Sequence, residues 1–325
     1  MRLGRFVSLL ISASFAAAMP AAAQTLAPIR GPVRILVGFT PGGPTDLAAR
    51  SMADRLGDAV GQPVVVENRA GAGGRIAAEA LKSAAPDGST LLLVPIVVPV
   101  LAPLVFKQLG YDPAKDFAPV AHVANYQSAF AVSANHPAGT VPEFVAWAKS
   151  HGARANFGTP ASGGLQHFFG LMVAKASGID LVPVTYKGGV PLALDLASGQ
   201  IPAGISTVSD LLELHRAGRI RIIATSGAKR SPLLPAVPTF REQGFPAIEG
   251  DGWIAFYAPA KTPKPVIELW SKVIVKAVRT PEVAERLTHL GLEPTGTTPE
   301  ELAAIMAADT ARWAPIIRAS GFTAD

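Results

Sequence analysis

The sequence predicts an α/β protein that is built as two lobes. Strand and helix patterns alternate from Val33 onward, which is typical of α/β folds with largely parallel sheets. The 325 residues are enough for two units that each bury a hydrophobic core. One strand–loop–helix pattern also occurs twice, with Thr-Pro loops that begin 119 positions apart, and we expect its two copies to lie in different lobes.

The first copy reads RILVGFTPGGPTDLAARSMADRLG, residues 34–57. Arg34–Phe39 is an apolar strand, and a loop rich in Pro and Gly follows it. From Thr45 or Asp46 onward, apolar residues recur every three or four positions, which indicates a helix. The strand PVVVEN, the loop AGAGG and a second amphipathic helix come next along the chain.

The longest later apolar run is TLLLVPIVVPVLAPLVF, residues 90–106. It is shorter than a membrane span needs to be, and three prolines interrupt it. We therefore predict a buried strand, Thr90–Val94, that leads into a loop or a broken helix beside a cleft. No membrane span is predicted after the N-terminal segment.

The second copy reads ANFGTPASGGLQHFFGLMVAKASG, residues 155–178. Three further strands are predicted in VPVTYKGG, IPAGIS and IRIIATS. The final helix is predicted to open at Thr298, Pro299 and Glu301, and Pro315 is expected to kink or break it.

The loops of the two copies have similar chemistry. Thr40–Gly43 and Thr159–Gly164 each join Thr-Pro to paired glycines just before a helix begins. Glycine lets a ligand approach the backbone, and a helix N-terminus offers free N–H donors with a partial positive charge. Two such loops facing each other would clamp a small anion, such as a carboxylate, without Arg or Lys. Ordinary βα turns are the alternative interpretation.

Two side chains near these loops each allow two interpretations. Asp46 either caps its helix or meets an ammonium group of a ligand. His167, in the first turns of the second helix, either reaches the cleft or packs against the protein. The residues alone leave both alternatives open.

Several kinds of chemistry lack support in the sequence. The absence of Cys excludes thiolate catalysis, disulfides and zinc–thiolate sites. Neither loop has the Gly-Lys-Ser/Thr of a phosphate-binding loop, Ser162 is not in Gly-x-Ser-x-Gly, and the histidines show no metal-ligand spacing. GAGG is only a partial dinucleotide fingerprint, for which close helix–strand packing is the favoured explanation. We therefore predict no catalytic residue, metal or cofactor.

Residues 1–23 have the pattern of a secretory signal peptide, with cleavage after Ala23; a retained N-terminal anchor is the alternative. Removing Arg2 and Arg5 with this segment lowers the net charge of +5 by two. The densest basic stretch, residues 215–230, lacks the interleaved aromatic residues of a nucleic-acid surface. A solvated face explains it, and no nucleic-acid partner is predicted.

A series of motifs occurs in the order found in one family. The motifs are VGFTPGGPTDLAAR, GQPVVVENRAGAGG, PDGSTLLL, YDPAKDFAPVAHVA, YKGG, RSPLLPAVPTFREQGFP and GLEPTGTTPEEL. From about Pro32 to Ile317, the chain resembles the solute receptors of tripartite tricarboxylate transporters, also called Bug receptors. The combination of PGGPTD, ENRAGAGG and PAVPTFREQG is specific, whereas any one of them alone would not be.

The resemblance implies a periplasmic binding protein of the type II fold, in which two α/β lobes are joined by two crossing strands and the ligand lies between them. The crossings would fall near His122–Phe130 and Gly250–Tyr257. Lobe one would comprise residues 24–125 and 251–325, and lobe two residues 126–250. The ligand would be a small carboxylate held by backbone amides, hydroxyls and waters.

The resemblance also implies ligand contacts, residue by residue. In lobe one they are Phe39, Thr40, Gly42, Gly43, Thr45 and Asp46. In lobe two they are Thr159, Ser162, Gly163, His167, Tyr186, Lys187 and Thr207.

The chain departs from the family pattern at two places. Thr185 stands where a proline usually precedes the Tyr-Lys-Gly turn. Pro95-Ile96-Val97-Val98 stands where small polar residues are common. We predict that this second stretch gives the cleft an apolar wall and favours a ligand with a hydrophobic body beside its carboxylate.

The predicted function is binding without chemistry. The protein would capture an organic anion in the periplasm as a monomer, close its lobes, and deliver the anion to the large and small membrane subunits of a tripartite transporter. Presenting the ligand to a sensor kinase is the alternative within the binding class. A secreted α/β enzyme acting on a carboxylic acid is the alternative from another class, and no Ser–His–acid arrangement supports it.

Overall fold

The computed structural model describes residues 29–152 and 155–324. The predicted signal peptide, residues 1–23, lies outside the described residues. Within them the chain forms two β-sheets, each packed against helices, and a cleft separates the two units. The predicted fold class, an α/β protein with two lobes, is confirmed.

The first sheet has six strands, and the lobe built on it is called the first lobe below. The strands are β1 (Val33–Val37), β2 (Val64–Asn68), β3 (Thr90–Pro95), β4 (Phe117–Tyr126), β10 (Gly252–Pro259) and β11 (Leu292–Pro294). Their spatial order is β11–β4–β10–β3–β1–β2. β1 is parallel to β2 and β3, whereas β10 is antiparallel to β3 and β4. The helices of this lobe are α1 (Pro44–Val60), α2 (Arg75–Lys82), α3 (Ala102–Val105), α4 (Pro113–Asp116), α9 (Lys264–Val278), α10 (Pro281–His289) and α11 (Pro299–Ser320).

The second sheet has five strands and defines the second lobe. The strands are β5 (Ser128–Ser133), β6 (Asn156–Thr159), β7 (Val182–Thr185), β8 (Ala203–Thr207) and β9 (Ile220–Thr225), in the order β7–β6–β8–β5–β9. β6 is parallel to β7 and β8, so the loops that follow these three strands leave from one edge. The helices are α5 (Val141–His151), α6 (Leu165–Ser177), α7 (Gly189–Ser198) and α8 (Val208–Arg216).

The apolar run of residues 90–106 forms a strand and then a helical segment. All six residues of β3 are buried, because β3 lies inside the sheet between β1 and β10. Val97–Leu101 then form a buried π-helical turn that continues into α3. The predicted buried strand is confirmed. In place of the predicted loop or broken helix, the helical segment continues from the π-helical turn into α3 without a break.

Of the two predicted effects of Pro315, a break in the last helix is wrong, and a kink stays a prediction. α11 continues through this proline to Ser320. Trp313 and Ile317, on either side of it, are each 2% exposed. Their burial in the core holds both halves of the helix in place, which offsets the backbone hydrogen bond that proline cannot make.

The two lobes are joined by two adjacent connections. Gln127 alone separates β4 from β5, and the chain returns between β9 and β10. The Gly250 N–H donates to the Ser226 carbonyl at 2.8 Å, and the Ser226 hydroxyl donates to the Gly250 carbonyl at 3.0 Å. The Ser128 N–H donates to the same hydroxyl at 2.9 Å, which bonds one connection to the other. The lobe boundaries at 125/126 and 250/251 stay a prediction.

Candidate functional site

A cavity lies between the lobes, at the edge where the loops after β1, β6, β7 and β8 leave their strands. The cavity has a volume of about 60 Å³, which is several times the roughly 10–15 Å³ that one water molecule requires. It is therefore large enough for a small organic molecule. The first lobe contributes Phe39, Thr40, Gly43, Pro44, Thr45, Pro95, Val97, Tyr126 and Ile254. The second contributes Pro160, Ala161, Gly164, Leu165, Gln166, Gly188, Gly189, Thr207 and Asp210.

Four helices begin at this cavity. α1 follows Gly43, α6 follows Gly164, α7 follows Gly188 and α8 follows Thr207. The three glycines have no side chain with which to cap the N–H groups of the first turn. Each N-terminus also carries about half a positive charge, so their convergence makes the cavity attractive to an anion. No Lys, Arg or His of the described segments lines it.

The first loop, Thr40–Gly43, is shaped by the carboxylate of Asp46. Its Oδ2 accepts the Gly42 N–H at 2.9 Å, and Nε of Arg50 donates to both of its oxygens at 3.0 and 3.1 Å. Nδ2 of Asn68 donates to Asp46 Oδ1 at 2.9 Å and to the Phe39 carbonyl at 3.1 Å. The network joins the loop to α1 and to the end of β2.

The environment of Asp46 keeps it ionised. Burial by itself raises the pKa of this carboxyl, which is only 2% exposed. The hydrogen bonds from Arg50, the Gly42 N–H and Asn68 outweigh burial, so the pKa lies below its usual value. Asp46 is thus placed to hold the loop in a fixed shape.

The second loop, Thr159–Gly164, is held by His167. The Gly163 N–H donates to Nδ1 of His167 at 3.0 Å, and Gly163 has a φ of +68°, which favours glycine. The imidazole is 1% exposed, and its ring centre lies 5.6 Å from that of Phe168 and 4.4 Å from that of Phe322. His167 therefore packs within the protein behind the loop.

We expect His167 to make the protein less stable in mild acid. Burial lowers its pKa from 6.5 to about 4, so between these values the unfolded chain binds a proton that the folded protein does not. Stability is then fully present above pH 6.5 and falls as the pH decreases toward 4. The expected loss through His167 is about 2 kcal/mol between pH 8 and pH 5. Denaturant unfolding at the two pH values measures it.

The test compares His167→Asn with His289→Asn. The asparagine side chain retains an acceptor for the Gly163 N–H but does not titrate, so the His167→Asn variant should show a smaller loss between pH 8 and pH 5. His289 is exposed, so His289→Asn is the control for the same substitution away from the loop. Equal pH dependence in wild type and His167→Asn would contradict this role of burial.

The two lobes touch at the rim of the cavity. A methyl group built on Gly163 of the second lobe would lie 2.7 Å from Cγ1 of Val105 in the first. One built on Gly188 would lie 3.1 Å from Oγ1 of Thr40. The loops of the two lobes thus approach closely, and the structure has a closed cleft.

The structure places the thirteen predicted contact residues in two groups. Phe39, Thr40, Gly43, Thr45 and Thr207 line the cavity. The others lie outside its lining. Gly42, Asp46, Gly163 and His167 belong to the hydrogen bonds described above, and the Thr159 carbonyl accepts the Tyr186 N–H at 2.9 Å. The remaining three are Ser162, Tyr186 and Lys187. The Tyr186 hydroxyl donates to Asp195 at 2.9 Å, and Lys187 is exposed. Ligand contact by all thirteen stays a prediction.

Sequence reasoning missed several lining residues. Tyr126 ends β4 and Gln166 lies two positions after Gly164, and neither belongs to a recognisable motif. Gly188 and Gly189 were predicted to form a turn, and the start of α7 there was not foreseen. Asp210 follows Thr207 by three positions, a common pattern at helix starts, and that pattern could have indicated it.

Residues 29–152 and 155–324 contain no group of three or more His, Cys, Asp or Glu side chains that could hold a metal ion. Over the same residues, no helix combines the length and apolar character that crossing a membrane would require.

Comparison with solved structures first defines the class. The periplasmic binding protein BugD has a TM-score of 0.85 and 31% identity, covering 90% of this chain and 98% of that one. Rpa4515 of R. palustris, solved with adipate, has a TM-score of 0.86 and 31% identity, covering 90% and 97%. The two-lobed periplasmic binding proteins are therefore the class to which this fold corresponds.

Sequence comparison then defines the family. Residues 48–322 match the tripartite tricarboxylate transporter family receptor. The protein BugT of Bordetella pertussis is 33% identical over 305 residues, which are 94% of this chain and 93% of that protein. The chain belongs to this receptor family, whose members are solute-binding proteins.

Proposed function

We propose that this protein binds a small organic carboxylate between its lobes in the periplasm and delivers it to a membrane transporter. The observation that carries the proposal is the convergence of four helix N-termini on one cavity between the lobes. Backbone N–H groups and helix dipoles suffice to bind an anion where no basic side chain lines the site. The adipate bound to Rpa4515, a similar protein, supports a carboxylate ligand.

The lining also favours an apolar part in the ligand. Pro95 and Val97, from the predicted apolar wall, line the cavity together with Phe39, Leu165 and Ile254. Ile96 and Val98 are fully buried in the first lobe and lie outside the lining. The carboxylate would lie near the helix ends, and its carbon chain would pack against these side chains.

Export and delivery complete the proposal. The segment 1–23 would direct export and be cleaved after Ala23. The closed receptor would then meet the large and small membrane subunits of a tripartite transporter. Membership in the receptor family supports these steps.

A thermal-shift screen against a library of carboxylates tests the proposed function. A ligand that binds only the folded protein should stabilise it by about 2.7 kcal/mol when its concentration is a hundred times its Kd. We expect at least one mono-, di- or tricarboxylate to raise the melting temperature in a concentration-dependent manner.

The control is the primary amide of each acid, together with sodium chloride at equal ionic strength. The amide has nearly the same shape but no negative charge, so it should not stabilise the protein. Stabilisation by no acid, or equal stabilisation by an acid and its amide, would contradict a carboxylate receptor.

A further inference from the structure

The anion-attracting cavity contains a carboxylate of its own. Asp210, in the first turn of α8, lines it, and it is the one Asp or Glu among the lining residues of the described chain. No Lys or Arg of the described residues forms an ion pair with Asp210 within 4.0 Å. A simple receptor for anions has no need of this group, because it repels a negatively charged ligand.

The two oxygens of Asp210 have different environments. Oδ2 accepts the Ser206 hydroxyl at 2.6 Å and the Thr207 hydroxyl at 2.8 Å. Oδ1 accepts no hydrogen bond from any described residue, although it belongs to a side chain in the cavity wall. Oδ2 is therefore held by the protein, and Oδ1 can still accept a hydrogen bond.

The position of the carboxylate is fixed by a glycine opposite it. A methyl group built on Gly189 would overlap both oxygens of Asp210 and its carboxyl carbon, so the start of α7 lies directly against the carboxylate. The N-termini of α7 and α8 stabilise a negative charge at this place. The carboxylate thus occupies a site built for it.

Burial raises the free-energy cost of leaving Oδ1 of Asp210 without a hydrogen bond. Desolvation raises the pKa of Asp210, although the hydroxyls of Ser206 and Thr207 act in the opposite direction. When a ligand enters, it removes the remaining water from Oδ1, and an acceptor left unpaired then costs binding free energy. A ligand that donates a hydrogen bond to Oδ1 avoids that cost.

We propose that Asp210 selects, among small organic acids, those that carry a hydroxyl or ammonium group, which donates to its Oδ1. This inference rests on the proposed function and specifies the ligand class further. The ligand carboxylate occupies the helix ends away from Asp210, and the donor group faces Asp210. An acid without a donor leaves Oδ1 unpaired, and an acid with a second carboxylate at this position is repelled.

Matched sets of acids that differ only at the second carbon test the inference. The sets are propionate, lactate and alanine; succinate, malate and aspartate; glutarate, 2-hydroxyglutarate and glutamate; and 3-phenylpropionate, 3-phenyllactate and phenylalanine. Kd is measured by calorimetry for every member. In the sets that bind, the hydroxy or amino member should bind about tenfold more tightly, or better, than the unsubstituted acid.

Asp210→Asn and Glu213→Gln are measured with the same sets. Asparagine retains the shape of the side chain but not its charge, so the preference for the amino member should fall by about tenfold. Glu213 lies on the same helix and is exposed, so Glu213→Gln removes an equal charge without touching the cavity and should retain the preference. If the Asp210→Asn protein does not fold, the order of the Kd values within each set for the wild-type protein tests the inference by itself.

The outcomes separate this inference from the proposed function. If the unsubstituted acid binds as tightly as its hydroxy and amino partners, or more tightly, in every set, the role of Asp210 is overturned. The proposal of a carboxylate receptor is not affected by that result. A folded Asp210→Asn protein that retains the wild-type preference also overturns it. Binding of no acid in any set overturns both proposals.

Discussion

Replacing Gly163 by alanine is expected to weaken ligand binding by about tenfold to a hundredfold while the protein still folds. The new methyl group would lie 2.7 Å from Cγ1 of Val105, well inside normal contact distance. These two residues belong to different lobes, so the overlap arises only when the cleft closes. The overlap makes the closed state less favourable, so a smaller fraction of the protein occupies it. Because the ligand binds to the closed state, its apparent affinity falls by the same factor. Calorimetry with the acid found in the thermal-shift screen measures the change.

Two further variants separate closure from backbone strain. Gly199→Ala introduces the same left-handed strain, at a φ of +78°, where no atom lies within 4 Å, and it should retain binding. Both alanines should lower the unfolding free energy by about 1–2 kcal/mol. Combining Gly163→Ala with Val105→Ala removes the overlapping side chain and should restore much of the affinity. Wild-type affinity in the single Gly163 variant would show that this contact does not control closure.

Asp46→Ala is expected to lower the free energy of unfolding by about 2–4 kcal/mol and to weaken binding of the ligand. The substitution leaves the Gly42 N–H without its acceptor and Arg50 without its buried partner. Nδ2 of Asn68 then retains the Phe39 carbonyl as its one acceptor among the described residues. The loop Thr40–Gly43 would then lose its fixed shape. Urea unfolding and calorimetry measure the two effects.

Asp54→Ala provides the matched control for Asp46→Ala. Asp54 lies on the same helix but is exposed, so its loss should change stability by less than about 0.5 kcal/mol. The pKa of Asp46 is lowered, so its contribution is present at neutral pH and lost only as the pH falls through that lowered value. At neutral pH, equal stability of the two variants would contradict a structural role for Asp46.

The sequence predicted those parts of the fold and site that depend on local patterns. The helix after the first Gly loop begins at Pro44, one position before the predicted Thr45, because Pro is favoured in the first turn of a helix. The two loops that begin with Thr-Pro were predicted because a pair of glycines directly before an apolar helix is a local sequence pattern. Thr40 and Gly43 of the first loop line the cavity between the lobes.

The sequence could not predict the parts that depend on distant contacts. Tyr126 reaches the cavity at the end of β4, which pairs with β10 from a distant part of the chain, and no local pattern encodes that pairing. The fate of Pro315 depended on the burial of Trp313 and Ile317 in a core formed by residues far away in the chain. Local propensity was overridden there by tertiary packing.

The two adjacent connections between the lobes, at Gln127 and between β9 and β10, have a consequence for how the proposed receptor would change its cargo. Because they are hydrogen-bonded to each other, we expect the lobes of the proposed receptor to open and close by a turn about this pair of connections. In the proposed receptor, the angle at which the turn stops would set the length of acid that fits, and contacts at the rim such as Val105 against Gly163 would set that angle. The end groups of the acid would be recognised separately, by the helix termini and by Asp210. We therefore expect ligand length and ligand end groups to be altered by different substitutions, each without disturbing the other.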